Sequence, residues 1–226
     1  MTRFEGFGPE AQAWFEGLEA DNSRAYFQAH RDVFESSVRG QMDALLGELA
    51  EEFGGEVKLF RQNRDVRFSP DKSPYKTNTY GVLYGAPIAR QGLYASISAR
   101  GLVAGAGYHA MARDQLERFR EQIDDDAHGR ELERLTADAE AAGLELWSES
   151  LRTAPRGYPK DHERIALLRR KSLALGATRP FGKGIGRDEA HAFVAGTWRS
   201  AAPVVAWLDA HVGPTTIPLD RARGRR

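Results

Sequence analysis

The chain has 226 residues, no cysteine, and 32 basic against 32 acidic side chains. This excludes disulfides, thiolate metal sites, iron–sulfur clusters and cysteine nucleophiles together, and argues against coating of nucleic acid through net charge alone. With 41% apolar and 28% charged residues, no apolar run near the ~20 residues of a membrane span and no signal-peptide core behind Met1, the expectation is a globular, cytoplasmic protein with no membrane partner.

From Pro9, the spacing of Ala11, Trp14, Phe15 and Leu18 predicts a helix ending near Asp21-Asn22. Asn22 is a good N-cap for a second helix from about Ser23. Apolar positions continue from Tyr26 and Phe27 to Leu49 and Phe53, as one long helix or two joined near Gly40, until Gly54-Gly55 stops them. The period then changes. Arg64-Asp65-Val66-Arg67-Phe68 alternates like a strand, with Arg64, Val66 and Phe68 on one face. Ser69-Pro70-Asp71-Lys72 reads as a turn, and Ser73 is pushed towards an extended conformation by Pro74.

Three more strands are expected at 79–84, 93–98 and 102–108, the last two as a hairpin around Arg100-Gly101. Gly105 and Gly107 share a face, which marks close approach of another backbone or a ligand, or tight helix packing. Helices are expected at 112–125 and from Gly129 to Ala142, with Asp124-Asp125-Asp126 as a solvated turn between them. An irregular connector at 150–160, a short helix with Ile165, Leu167 and Leu168, a last strand at 171–175 and a glycine-rich loop from Gly176 to Gly186 follow. A closing helix, broken before Pro203 or continuous, completes the pattern. The fold class is α+β: one domain over 1–213, an antiparallel sheet covered by N- and C-terminal helices, and a basic, flexible tail over 214–226.

Several motifs fail on spacing. Gly182-Lys183-Gly184 has one residue too many after Gly176 for a phosphate loop, and Gly184 stands where a hydroxyl is needed. The six histidines form no pair at metal-binding helical spacing. No Gly-x-Ser-x-Gly elbow is present. No metal or cofactor is expected, and whether the chain is an enzyme is left open.

The stretch from Arg61 to Lys76 holds five cations (Arg61, Arg64, Arg67, Lys72, Lys76) against Asp65 and Asp71. Arginine forks pair bidentately with carboxylate or phosphate, lysine adds point charge, and Tyr75 can donate a hydrogen bond. Asp65, Asp71 and Tyr75 are the candidates for proton transfer or orientation. The competing reading is an internal ion-pair network in which Arg64 reaches inwards to a carboxylate, Asp161 or Asp21.

The run Arg64-Asp65-Val66-Arg67-Phe68-Ser69-Pro70-Asp71-Lys72-Ser73-Pro74-Tyr75-Lys76 resembles the hallmark of the domain-of-unknown-function 2461 family, Arg-Asp-x-Arg-Phe-Ser-x-Asp-Lys-Ser/Thr-Pro-Tyr-Lys. Asn22-Ser23-Arg24-Ala25-Tyr26-Phe27 and His30-Arg31 resemble its N-terminal landmarks, with Tyr26 in place of tryptophan. Gly105-Ala106-Gly107-Tyr108 resembles its glycine strand, with Ala106 for one glycine. Gly157-Tyr158-Pro159-Lys160-Asp161-His162 and Lys171-Ser172 resemble its C-terminal half. The resemblance spans nearly the whole chain and implies one domain; it brings no established activity. It implies Arg64, Asp65, Arg67, Asp71, Lys72, Tyr75 and Lys76 as the site, with Arg24, His162 and Lys171 as outer candidates. The expected partner is an anionic small molecule bearing phosphate or carboxylate, its cations converging beside Gly105 and Gly107. The alternative is a nucleic-acid-binding or protein-interaction module, in which Tyr75, Tyr80, Tyr84 and Tyr94 interleave with the cations.

Overall fold

The computed structural model describes residues 3–217. The elements in order are β1 (Gly6–Phe7), α1 (Pro9–Ala20), α2 (Arg24–Ala29), α3 (Arg31–Val33), a π-helical segment (Phe34–Arg39) and α4 (Gly40–Phe53). Strands β2 (Glu56–Leu59), β3 (Asn78–Tyr84), β4 (Leu93–Ser98) and β5 (Gly101–Tyr108) precede α5 (Arg113–Asp124) and α6 (Asp126–Ala141). Then come β6 (Glu145–Trp147), α7 (Ile165–Leu168), β7 (Leu173–Pro180), β8 (Ile185–Gly186) and α8 (Arg187–His211). Six strands form one sheet in the order β2-β3-β4-β5-β7-β6, and β1 pairs with β8. The class is α+β, an antiparallel sheet with helices.

The chain divides into two compact units. One comprises Met1–Pro87, Gly92–Gly105 and Ala177–Thr197; the other comprises Ile88–Gln91, Ala106–Gly176 and Trp198–Arg226.

In the first unit, α1 begins on Pro9, whose missing N–H costs nothing in the first turn. Its buried face carries Ala11, Trp14, Phe15 and Leu18. The next helix is capped by Ser23 rather than Asn22: Ser23 Oγ accepts from the Tyr26 N–H at 3.1 Å. Asn22 is engaged elsewhere, as described below. The long amphipathic stretch is neither one helix nor two. It is interrupted at His30 and again by the π-helical segment before α4. Helix α4 packs on one face of the sheet through Met42, Leu45, Leu46 and Leu49. Register pairs Leu59 with Gly81 and Gly81 with Ala95. Thr79, Gly81 and Leu83 are buried, whereas Tyr80 and Val82 on the opposite face are half-exposed.

In the second unit, α5 and α6 meet end to end. Asp125 caps α6 by accepting from the Ala127 and His128 N–H groups at 3.0 and 2.9 Å, so the aspartate turn has a definite structural job. The carboxylate of Asp114 in the first turn of α5 accepts from Thr215 Oγ1 and from the Thr216 N–H, both at 2.7 Å. The part of the expected tail over 214–217 is therefore tied down, and its remainder lies outside the described residues.

Two strand expectations change. Residues 64–68 do not form a strand. Only Asn63 bridges Tyr75, and the chain between them is irregular. The expected loop from Gly176 instead continues β7 to Pro180 and contributes β8. Helix α8 runs unbroken through Pro203.

Candidate functional site

The basic stretch forms a loop in the first unit, closed at its neck by two backbone hydrogen bonds. The Arg64 N–H donates to the Pro74 carbonyl and the Lys76 N–H to the Gln62 carbonyl, both at 2.9 Å. Gln62, only 5% exposed, fastens the neck from inside. Its amide donates to the Lys76 carbonyl and to that of Asn78, and its oxygen accepts from Thr79 Oγ1 at 2.9 Å. Asn22 grips the other side, accepting from the Tyr75 N–H at 3.0 Å and donating to the Tyr75 carbonyl at 3.1 Å. The Tyr75 ring stacks on Phe27, with centroids 4.3 Å apart and planes 13° apart. Phe27 in turn packs against Trp14 and Phe34. The loop is thus bolted to the N-terminal helices by an aromatic cluster and an asparagine clasp.

Within the loop the charges pair locally. Arg67 chelates Asp65 through Nε at 2.9 Å and Nη2 at 2.6 Å. Arg67, its guanidinium and its backbone N–H both donating, holds the Asp65 carboxyl down at about 2. Asp71 accepts from the Ser73 hydroxyl at 2.7 Å and the Ser73 N–H at 2.9 Å, and pairs with Arg64. These contacts, Ser73 first and Arg64 after, hold the Asp71 carboxyl well below the usual range. Neither Asp161 nor Asp21 partners Arg64. Lys72 Nζ donates to the Val66 carbonyl at 3.0 Å. The turn lies over Val66–Ser69, where the Ser69 N–H donates to the Val66 carbonyl at 3.4 Å, three residues ahead of the turn expected at Ser69-Pro70-Asp71-Lys72. Phe68, expected on one strand face with Arg64 and Val66, is 94% exposed, while the Arg64 side chain is 26% exposed.

A cavity of about 340 Å³ opens at the neck, lined by Asn22, Arg64, Asp71, Ser73, Tyr75, Lys76, Thr77 and Asn78. Arg64 and Lys76 both line this space. Lys76 Nζ donates to the Arg61 carbonyl and lies 5.0 Å from the Tyr80 ring centroid. Burial, and then the Arg61 charge, push the Lys76 ammonium below its ordinary value. Arg67 and Lys72 do not line this cavity, and nor do Gly105 and Gly107. A side chain on Gly107 would collide with the backbone of β7, at 2.5 Å from the Leu173 oxygen, and its φ is +130°. The close approach that its glycine signals is to a neighbouring strand.

The outer candidates scatter. Arg24 is exposed in the first turn of α2. His162 belongs to the second unit, where Nδ1 accepts from the Arg164 N–H at 3.0 Å and Nε2 lies 3.0 Å from Asp124. An accepting Nδ1 fixes the proton of neutral His162 on Nε2. Arg164 beside it is 2% exposed and ties the carbonyl of Ile123 at 2.7 Å to Asp126 at 2.8 Å. Lys171 pairs with Glu149 at 3.2 Å on the surface. Among the described residues no group of three or more His, Asp or Glu is disposed to hold a metal ion.

Sequence reasoning missed Asn22, Thr77 and Asn78 as lining residues. Asn22 carried a signal, since it opens the first landmark of the resemblance, but its capping propensity pointed to a local role. Thr77 and Asn78 follow the motif and read as the entry to a strand.

The fold and cavity define an α+β protein with a proline-bearing, ion-paired loop closed over a polar pocket. Residues 10–207 match the family described as a conserved hypothetical protein (DUF2461), and the chain belongs to that family. No curated protein matches the chain. No described helix is long and apolar enough to cross a membrane.

Proposed function

We propose that this protein, acting in the cytoplasm, binds a small anionic ligand bearing phosphate or carboxylate in the cavity at the neck of the 64–76 loop. The observation that supports this reading is the convergence of Arg64 and Lys76 on one cavity. With Asp71 as the lone carboxylate there, one positive charge is in excess. Thr77, Asn22 and Asn78 add hydroxyl and amide donors, and an oxyanion takes several such donors at once. Asp71 holds Arg64 as a ligand carboxylate would, so binding exchanges one oxyanion partner for another rather than desolvating a free charge. The neck is preorganised by Gln62 and Asn22, which lowers the ordering cost of binding.

The roles within the motif separate. Arg64 and Lys76 are the ligand cations, while Arg67, Asp65 and Lys72 shape the loop. A carboxyl held at about 2, as in Asp65, is a poor proton acceptor near neutral pH, so the reading is of a binding site without assigned proton transfer.

A second reading, that the motif is an ion-pair scaffold, is favoured by the closed pairs Arg64–Asp71 and Arg67–Asp65. A thermal-shift series with inorganic phosphate and with citrate separates the two. The binding reading expects the melting temperature to rise with ligand concentration in the wild type and not in the Arg64→Ala, Lys76→Ala double variant. An equal shift in both proteins, or none in the wild type, would favour the scaffold.

A further inference from the structure

Two residues of the cavity also touch a row of aromatic rings on the half-exposed face of β2–β4. Lys76 lies 5.0 Å from the centroid of Tyr80, and Asn78 Nδ2 donates to the Tyr94 hydroxyl at 3.4 Å. Tyr80 stacks against Phe60, with centroids 4.6 Å and planes 18° apart, and sits 5.7 Å from Tyr94. Lys58 continues the row, 5.4 Å from the Phe60 centroid and 5.9 Å from that of Tyr84, which is 40% exposed.

The row follows from strand periodicity. Tyr80, Val82 and Tyr84 alternate with the buried Thr79, Gly81 and Leu83. The buried set meets α4, where a side chain on Gly81 would lie 2.4 Å from Leu46 Cδ1. The aromatic set instead has two lysines over its rings. Large rings left half-exposed on a sheet face and flanked by cations are the surface on which nucleobases pack. Here that surface is continuous with the anion cavity through Lys76 and Asn78. A ligand using both carries an oxyanion and a flat π-system in one molecule. A free nucleotide fits better than a strand, because the cavity gathers one arginine and one lysine and the whole chain has no net charge.

We propose that the ligand of the Arg64–Lys76 cavity is a nucleoside monophosphate, its phosphate held by Arg64 and Lys76 and its base packed on the Phe60–Tyr80–Tyr94 surface. This rests on the anion-binding reading above and narrows it to one ligand class.

The test is calorimetric titration of the full chain with inorganic phosphate, ribose 5-phosphate, AMP, UMP, adenosine and a 5′-phosphorylated oligothymidylate. AMP and UMP are expected to bind at least about fivefold more tightly than ribose 5-phosphate, the lower end of a stacking contribution. Tyr80→Leu is expected to abolish the preference for AMP over ribose 5-phosphate. Equal affinities for AMP and ribose 5-phosphate in the wild type would overturn the nucleotide assignment and leave the anion site standing. That comparison decides the matter even if Tyr80→Leu does not fold. Adenosine binding as well as AMP would also overturn it, since the phosphate would then have no seat. An oligonucleotide more than about tenfold tighter than UMP would replace it with single-strand binding. Failure of every phosphate compound to bind would remove both this assignment and the anion reading.

Discussion

Arg64 and Arg67 lie in one motif, each paired with an aspartate, yet their surroundings divide their roles. The Arg67 side chain is 76% exposed and that of Arg64 26%. An exposed pair is screened by water and contributes little, so Arg67→Ala should leave the urea unfolding midpoint nearly unchanged and leave anion binding intact. A loss of binding in Arg67→Ala alone would move the site to the loop tip. Lys76 gives a pH signature. Burial and the Arg61 charge lower its ammonium below the ordinary 10.5, and Arg61, Arg64 and Asp71 are the charged groups around it. A bound anion favours the protonated form, so binding takes up a proton and affinity falls as pH rises towards that lowered value. The decline should begin below pH 10.5 in the wild type. It should flatten in Lys76→Arg, whose charge persists, as isothermal titration across alkaline pH would show. In the second unit Arg164 offers the opposite extreme to Arg67. Its guanidinium is 2% exposed and joins Asp126 and Glu163 to the carbonyl end of α5. Its carboxylate partners are 73% and 61% exposed, so Arg164→Ala strands no charge but leaves the Ile123 carbonyl without its donor, and should cost about 1–3 kcal/mol in chemical denaturation, with no more than partial rescue by Arg164→Lys, which lacks the planar fork.

At the scale of elements, two glycines make opposing predictions. Gly107 in β5 has φ +130° and faces the backbone of β7 at 2.5 Å. Gly107→Ala should therefore destabilise by more than the ~1–3 kcal/mol of backbone strain alone. Gly47 in the interior of α4 has nothing within 4 Å of an added Cβ, so Gly47→Ala should stabilise by about 0.5–1 kcal/mol. Thermal unfolding of both variants checks the pair. Long periodic segments were legible in the sequence for the same physical reason. The stripe Ala11–Trp14–Phe15–Leu18 buries one face of α1, and the alternation over 79–84 survives as β3. The segment 64–68 was misread because period-2 alternation is also what a short loop of self-paired charges displays. Asp65–Arg67 satisfies itself two residues apart, and no partner strand supplies a ladder. Asn22 was misread as a cap because its true partner, Tyr75, lies 53 residues away. Of the site, the motif located Arg64, Asp71, Tyr75 and Lys76, but no pattern in the sequence separates these from Arg67 and Lys72, since that separation depends on which side chains the neck turns towards one cavity.

At the scale of the molecule, the two compact units are not consecutive pieces of chain. Strands β5 and β7 and helix α8 each carry residues of both. On that ground we propose that residues up to 213 unfold as one cooperative domain, as the sequence leads one to expect. The check is coincidence of far-ultraviolet dichroism and tryptophan fluorescence in urea, with Trp14 in one unit and Trp207 in the other as reporters. Two separated transitions would show that the units are independent domains. The central claim concerns the cavity at the loop neck, and it is tested most directly by backbone amide NMR during titration with inorganic phosphate and then AMP. The account predicts saturable shifts concentrated at Ser73, Lys76, Thr77 and Asn78, extending to Tyr80 and Tyr94 with AMP, and abolished by Arg64→Ala. Saturable shifts centred elsewhere, or none in this segment at millimolar ligand, would contradict it.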